Sequence, residues 1–167
     1  MAHESLSRDK YDMQRLVEVL IRHPEPQEHD SVRALVTTVA NENFGDLFAP
    51  STVPLNLEED DWSLAWVAVS NAKIIGVVLT RQEWISDLWV LRESRRQGVG
   101  RRLLAQGESE IASRGHRMFR LRVVKSNTVA VQFYLQQGWQ IGREFPHEKF
   151  HHEMFEMVKS DQTATFR

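Results

Sequence analysis

The chain has 167 residues, and 21 Lys+Arg against 23 Asp+Glu leave a formal net charge of −2 at pH 7. With 41% hydrophobic and 26% charged residues it has the make-up of one globular domain with a sizeable core, and the charge balance argues against coating nucleic acid or anionic membrane as its main task. It contains no Cys, which excludes disulfides, thiol catalysis and cysteine metal sites and fits a reducing compartment.

Residues 1–14 show little periodicity and are expected to be a flexible N-terminal segment, followed by a single domain over 15–160 and a tail over 161–167. The start is polar up to Leu16, without the pattern of an export signal. No apolar stretch approaches the roughly 18 residues that span a bilayer. A cytoplasmic location is the resulting expectation. Leu16, Val17, Val19, Leu20 and Ile21 form a β-type run closed by Pro24 and Pro26. Val32, Leu35, Val36, Val39 and Ala40 recur at helical spacing, with Glu25 and Glu28 near the positive end of the dipole, and the helix is predicted to stop near Phe44-Gly45. Residues 46–61 read as a loop whose run Glu58, Glu59, Asp60, Asp61 is either a solvated face or an attractor for a cationic substrate.

From Leu64 to Leu91 the runs LAWVAV, IIGVVLT and WISDLWVL, with a turn at 70–73, predict three antiparallel strands. After Gly98 the period changes: Val99, Leu103, Leu104, Gly107 and Ile111 share a helical face, and Gly115 stands where a helix C-terminus wants glycine. MFRLRVV predicts a strand, 127–137 a helix stopped by Gly138, and 139–141 and 152–158 two further strands. The order β-α-β-β-β-α-β-α-β-β is that of a mixed α/β sheet.

Chemistry concentrates where a strand, 88–91, runs into Arg95-Arg96-Gln97-Gly98-Val99-Gly100 and then a helix. Glycines let backbone N–H groups approach a phosphate, and the helix dipole favours negative charge there. Arg92, Arg95, Arg96, Arg101 and Arg102 add positive charge, so a pyrophosphate suits the turn. A P-loop is excluded because Gly100 is followed by Arg101-Arg102 rather than Lys-Ser/Thr, and a dinucleotide fingerprint because its third small position is Leu103.

Arg95-x-x-Gly98-x-Gly100 resembles the acyl-coenzyme A pyrophosphate loop of the GNAT superfamily of N-acetyltransferases, and Asn127-x-x-Ala130-x-x-Phe133-Tyr134-x-x-x-Gly138-Trp139 resembles that family's second signature. The resemblance implies an α/β (α+β) GNAT-like fold: a seven-stranded, twisted mixed sheet flanked by about four helices. It implies acetyl-CoA as cosubstrate and transfer of acetyl to a primary amine of a small molecule or peptide. With no Cys available for a covalent acetyl intermediate, direct attack in a ternary complex is expected. By resemblance, Arg95, Arg96, Gln97, Gly98, Val99, Gly100 and Arg101 hold the pyrophosphate. A bulge near Leu88, Trp89 and Val90 frees N–H groups for the pantetheine arm and thioester carbonyl, and strands four and five splay apart. Asn127, a helix cap, and Ala130 meet the coenzyme beside Tyr134.

Tyr134 matches the family's general acid; the alternative is an aromatic buried for packing. The base stays open between Glu83, Asp87 and a histidine of the C-terminal segment. In the diamine-acetylating branch a glutamate stands where this chain has Ser86, while Asp87 matches the branch's aspartate. That departure argues against a polyamine and for a water relay, and on a regular strand Ser86 and Asp87 point to opposite faces. His147, Glu148, His151, His152 and Glu153 read as strand edge and loop, with a possible substrate contact, rather than as a metal site. Trp62, Trp66, Trp84, Trp89 and Trp139 read as core, with Trp84 as an alternative pocket wall. Similar proteins are often dimers. Competing readings are a non-catalytic acyl-CoA sensor on the same fold and an arginine-based nucleic-acid binder.

Overall fold

A computed structural model describes residues 18–49, 53–55, 57 and 60–164. Its elements are β1 (Leu20–Arg22), α1 (His29–Phe48), β2 (Trp66–Ser70), β3 (Lys73–Arg81), β4 (Trp84–Val90), α2 (Val99–Ser113), β5 (Met118–Val124), α3 (Thr128–Gln136), β6 (Gln140–Pro146) and β7 (Glu153–Ser160). The strands form one seven-stranded sheet in the order β1-β2-β3-β4-β5-β7-β6. Every pairing is antiparallel except the parallel one between β4 and β5. The element order is the predicted one. No helix among the described residues is long and apolar enough to cross a membrane.

The two helix-bearing faces are built from the stripes read in the sequence. Val32, Leu35, Val36, Val39 and Ala40 are the buried residues of α1. Val99, Leu103, Leu104, Gly107 and Ile111 are those of α2, and burying each large aliphatic side chain contributes about 1.5–3 kcal/mol. Gly107 sets the spacing: a Cβ there would lie 2.8 Å from Ile85 Cδ1 and 3.0 Å from Val78 Cγ2, so only glycine lets α2 settle this close to β3 and β4.

Three boundaries differ appreciably from expectation. The first strand is Leu20–Arg22; Leu16 and Val17, like residues 1–14, Pro50, Glu58 and Glu59, lie outside the described residues. Helix α1 continues through Gly45 to Phe48, whose ring packs edge-on against Phe150 and His152, a tertiary contact that outweighs the weak propensity of glycine. Strand β6 runs to Pro146 because pairing with β7 carries it there; most of its residues are exposed, so no alternation marks it. Three α-helices flank the sheet, in rough agreement with the about four expected, and the other helical pieces among the described residues are single 3₁₀ turns.

Candidate active site

The seam between β4 and β5 positions everything else. Their ladder holds one pair, Trp84↔Arg120, beside a bond from Arg120 N to Glu83 O at 2.9 Å. From Ile85 and Leu121 onward the parallel strands are unpaired, and the facing edge of β4 offers main-chain N–H and C=O groups to whatever enters the gap. The sequence reading placed a bulge near Leu88, Trp89 and Val90. The structure corrects this: those residues pair regularly with Val78, Val77 and Gly76, and the irregularity falls between Ile85 and Asp87, leaving Ser86 as the extra residue. The free edge at 88–90 therefore comes from the missing β5 partner, not from a bulge.

Both signature motifs stand at the open ends of these strands. Past β4, Gly98 caps α2 in the left-handed conformation (φ +79°) with no side chain capping the first turn; its carbonyl accepts from Arg102 N at 3.1 Å. The first-turn amides are left without a side-chain cap, the arrangement that binds anions. Arg96 is also left-handed (φ 61°), which helps the loop fold back on itself. Arg92, Arg96, Arg101 and Arg102 are exposed around it. Arg95 is engaged instead: its Nε donates to Val90 O at 3.1 Å and its guanidinium to Asn43 Oδ1 at 3.3 Å, tying the loop to β4 and α1. Gln97 Nε2 donates to Glu93 O. Val99 is buried beneath the turn.

Past β5, Asn127 caps α3 by accepting from Ala130 N at 3.3 Å. The next turn brings Phe133 beside the α2 start, 3.5 Å from where a Cβ at Gly100 would stand. Tyr134 is 9% exposed, its ring between those of Phe133 and Trp139. No hydrogen-bond partner for its hydroxyl exists among the described residues. Burial pushes the phenol above its ordinary value, so it stays protonated. Trp139 is buried with its Nε1 donating to Glu108 at 2.9 Å, which makes the Gly138-Trp139 pair a structural anchor for α3.

The base candidates separate clearly. Glu83 lies in the turn before β4, at the closed end of the seam. Ser86 sits exposed on the bulge, and that extra residue breaks the alternation assumed for the Ser86–Asp87 pair. Ile85 faces α2 through Gly107, and so does Val90 through Gly76 and Gly100, whereas Asp87 and Trp89 turn toward α1, where Trp89 meets Phe44 edge-on. Asp87 is half-buried and accepts from Trp89 Nε1 at 2.8 Å. Burial lifts its carboxyl to about 6, with the Trp89 bond pulling the other way. A carboxylate titrating there is poised to take a proton near neutral pH.

The histidines of the β6–β7 connection form an aromatic cluster. His147 and His152 lie 4.9 Å apart against Phe150 and Phe48, and burial, with His147 alongside, lowers the His152 value. His151 and Glu148 are exposed. Among the described residues no group of three or more His, Cys, Asp or Glu side chains is placed to hold a metal. Sequence reasoning missed a second feature: a cavity of about 310 Å³ lined by Trp84, Ile85, Ser86 and Arg122 at the seam. Its signal was present in MFRLRVV, where two arginines alternate with buried residues on a central strand.

The family model for the acetyltransferase (GNAT) family matches residues 28–139, more than half of the chain. The chain belongs to the GNAT family. Solved structures agree in fold. YjaB from Escherichia coli, solved in its apo-form, is 20% identical, with a TM-score of 0.69 over 84% of this chain and 97% of that one. The PaiA N-acetyltransferase of Thermoplasma acidophilum, in complex with coenzyme A, is 15% identical (TM-score 0.67, 86% and 99% covered). Arabidopsis thaliana Naa50, in complex with the bisubstrate analogue CoA-Ac-MVNAL, is 18% identical (TM-score 0.65, 86% and 99% covered). Among curated proteins none matches the chain in sequence. Within this GNAT domain the two signature segments are the ones that meet at the open end of the seam.

Proposed function

We propose that the chain is an acetyl-CoA-dependent N-acetyltransferase that transfers acetyl directly to a primary amine of a small molecule or peptide. The observation that carries this reading is the uncapped left-handed turn at Gly98, standing over the open end of two unpaired parallel strands. Anionic ligands of α/β sheets settle at the carboxyl ends of strands, against helix N-termini. The donor set fits a diphosphate: first-turn amides around Val99, Gly100 and Arg101, with the exposed Arg96 and Arg101 side chains beside them. Arg95 and Gln97 hold the loop in shape, and the free edge of β4 from Leu88 to Val90 has groups to bind the amide-rich arm. Acetyl-CoA supplies an activated acetyl thioester. The Naa50 structure, with its coenzyme and peptide joined in one molecule, supports the amine acceptor class.

Around that thioester the side chains have separate tasks. Asp87, titrating near 6, accepts the proton lost by the attacking amine, directly or through water at Ser86. The new N–C bond forms as the C–S bond breaks, and the buried Tyr134 donates its hydrogen to the departing sulfur. Glu83 has a structural role in closing the seam. The test is release of free coenzyme A thiol from acetyl-CoA in the presence of an amine panel, followed as acetylated product by mass spectrometry. The expected result is amine-dependent thiol release. Coenzyme binding with no turnover on any amine would mark a non-catalytic sensor, and salt-dependent binding of nucleic acid without coenzyme affinity would overturn both.

A further inference from the structure

The face of the sheet opposite α2 and α3 carries an unusual concentration of guanidinium groups beside the seam. Arg122 of β5 lies over the Trp84 ring at 5.0 Å and the Phe145 ring at 5.4 Å. Arg143 of β6 covers Phe145 at 4.7 Å. Arg120 Nη1 binds Glu156 Oε1 at 2.9 Å, and Arg143 binds Glu156 Oε2 through Nε and Nη2 at 3.1 and 3.0 Å. Glu156, opposite Arg122 in the ladder, is 9% exposed in its side chain and has both oxygens occupied by those two arginines. Two of the three guanidinium groups thus share that carboxylate, and Arg122 is left outside the pairing. Among the described residues Arg122 has no ion-pair partner, while the nearby Lys125 is neutralised by Glu144.

Aromatic contacts hold Arg122 by its flat face, which leaves its N–H edges free for a planar, two-oxygen partner such as a carboxylate. Those edges belong to a residue that lines the cavity with Trp84, Ile85 and Ser86, one residue from Asp87. At about 310 Å³ the cavity is at the small end of the range for ligand sites, roughly 300–1,000 Å³. A polyamine would bring positive charge to positive charge here.

We infer that the acceptor is a small amine carrying a carboxylate, its acid group gripped by Arg122 between Trp84 and Phe145 and its amine directed to Asp87 and the seam. This rests on the acetyltransferase reading and narrows its acceptor. A phosphate-bearing amine presents similar charge, so the test separates the two sources.

The experiment compares free amino acids, their C-terminal carboxamides, phosphoethanolamine and spermidine as acceptors with acetyl-CoA, in the full chain and in Arg122→Gln and Arg122→Lys, with coenzyme A binding measured in parallel. Amino acids are expected to show a kcat/KM at least ~10-fold above their amides, the preference expected of a bidentate charge-assisted contact. In Arg122→Gln that ratio falls toward one through KM; Arg122→Lys retains an intermediate ratio. Because Arg122 is exposed, both variants are expected to fold. Turnover of amides or spermidine at or above that of amino acids, or a ratio unmoved by Arg122→Gln, overturns the inference and leaves the acetyltransferase reading standing. Preference for phosphoethanolamine overturns the carboxylate. Coenzyme binding without turnover of any acceptor overturns the inference, and no coenzyme binding overturns the reading beneath it.

Discussion

The two halves of the sheet are built differently. From β1 to β4 the strands pair antiparallel, and β3 is buried along all but its end residues, covered by α1 on one side and α2 on the other. In the β5-β7-β6 half one face is buried through Phe119, Leu121 and Trp139, while the other displays Arg120, Arg122, Arg143 and Glu156. A single ladder pair, Trp84↔Arg120, joins the halves. The difference teaches where the proposed function can reside: the first half supplies rigidity and a helix start, the second supplies charge, and the gap where main-chain pairing is given up is where the proposed chemistry would take place.

The largest expected effect tests whether that gap is a reaction chamber. Tyr134→Phe removes a hydroxyl that makes no internal bond, so thermal stability should hold while kcat falls by roughly 10² or more; steady-state kinetics that show unchanged turnover remove Tyr134 from the reaction. Next is Asp87→Asn, expected to lower kcat by about 10-fold to 10²-fold and to abolish the acid limb that wild-type activity should show near pH 6. A persistent limb would assign the proton to another group.

The same aspartate sharpens the comparison as a cost of the rigid half. Its folded value, about 6, is above the ordinary 3.8, so its favourable contribution is complete below 3.8 and is lost as pH rises through about 6. Asp87→Asn should therefore be more stable than wild type above pH 6, by roughly 1–3 kcal/mol, and the advantage should disappear on acidification. Chemical denaturation at pH 4 and pH 8 reads this directly. The smallest effect is that of Trp89→Phe. It deletes the donor that holds the Asp87 value down, so the acid limb should move to higher pH with only a few-fold loss of kcat at pH 8. A limb that stays in place would show that the bond does not tune the carboxylate.

The sequence displayed the fold well where period and punctuation agree. The stripe Val99–Ile111 ended by Gly115, and Val32–Ala40 on α1, became the two buried helix faces. Element order followed from the same signals. Strand β6 extends beyond its sequence signal because an edge strand with mostly exposed residues has no alternation to detect, and α1 runs past Gly45 because the contact of Phe48 with Phe150 joins residues distant in the chain. At the site, the glycine turn and the Asn127 cap were visible because local backbone geometry demands those residue types. The bulge at Ser86 is not legible in the sequence, since register depends on the partner strand. The alternating arginines of MFRLRVV mark the exposed face of β5, but the grouping of Arg122 with Trp84, Phe145 and Glu156 is not legible, because it arises only when β4, β5, β6 and β7 come together.

Calorimetric titration of the protein with coenzyme A, alongside pantetheine, which shares the arm but lacks the nucleotide diphosphate, puts the claim for the Gly98 turn to its most direct trial. Coenzyme A should bind with saturable heat and pantetheine at least ~100-fold more weakly, a difference of about 2.7 kcal/mol. Equal affinities, or no heat from coenzyme A, would contradict it.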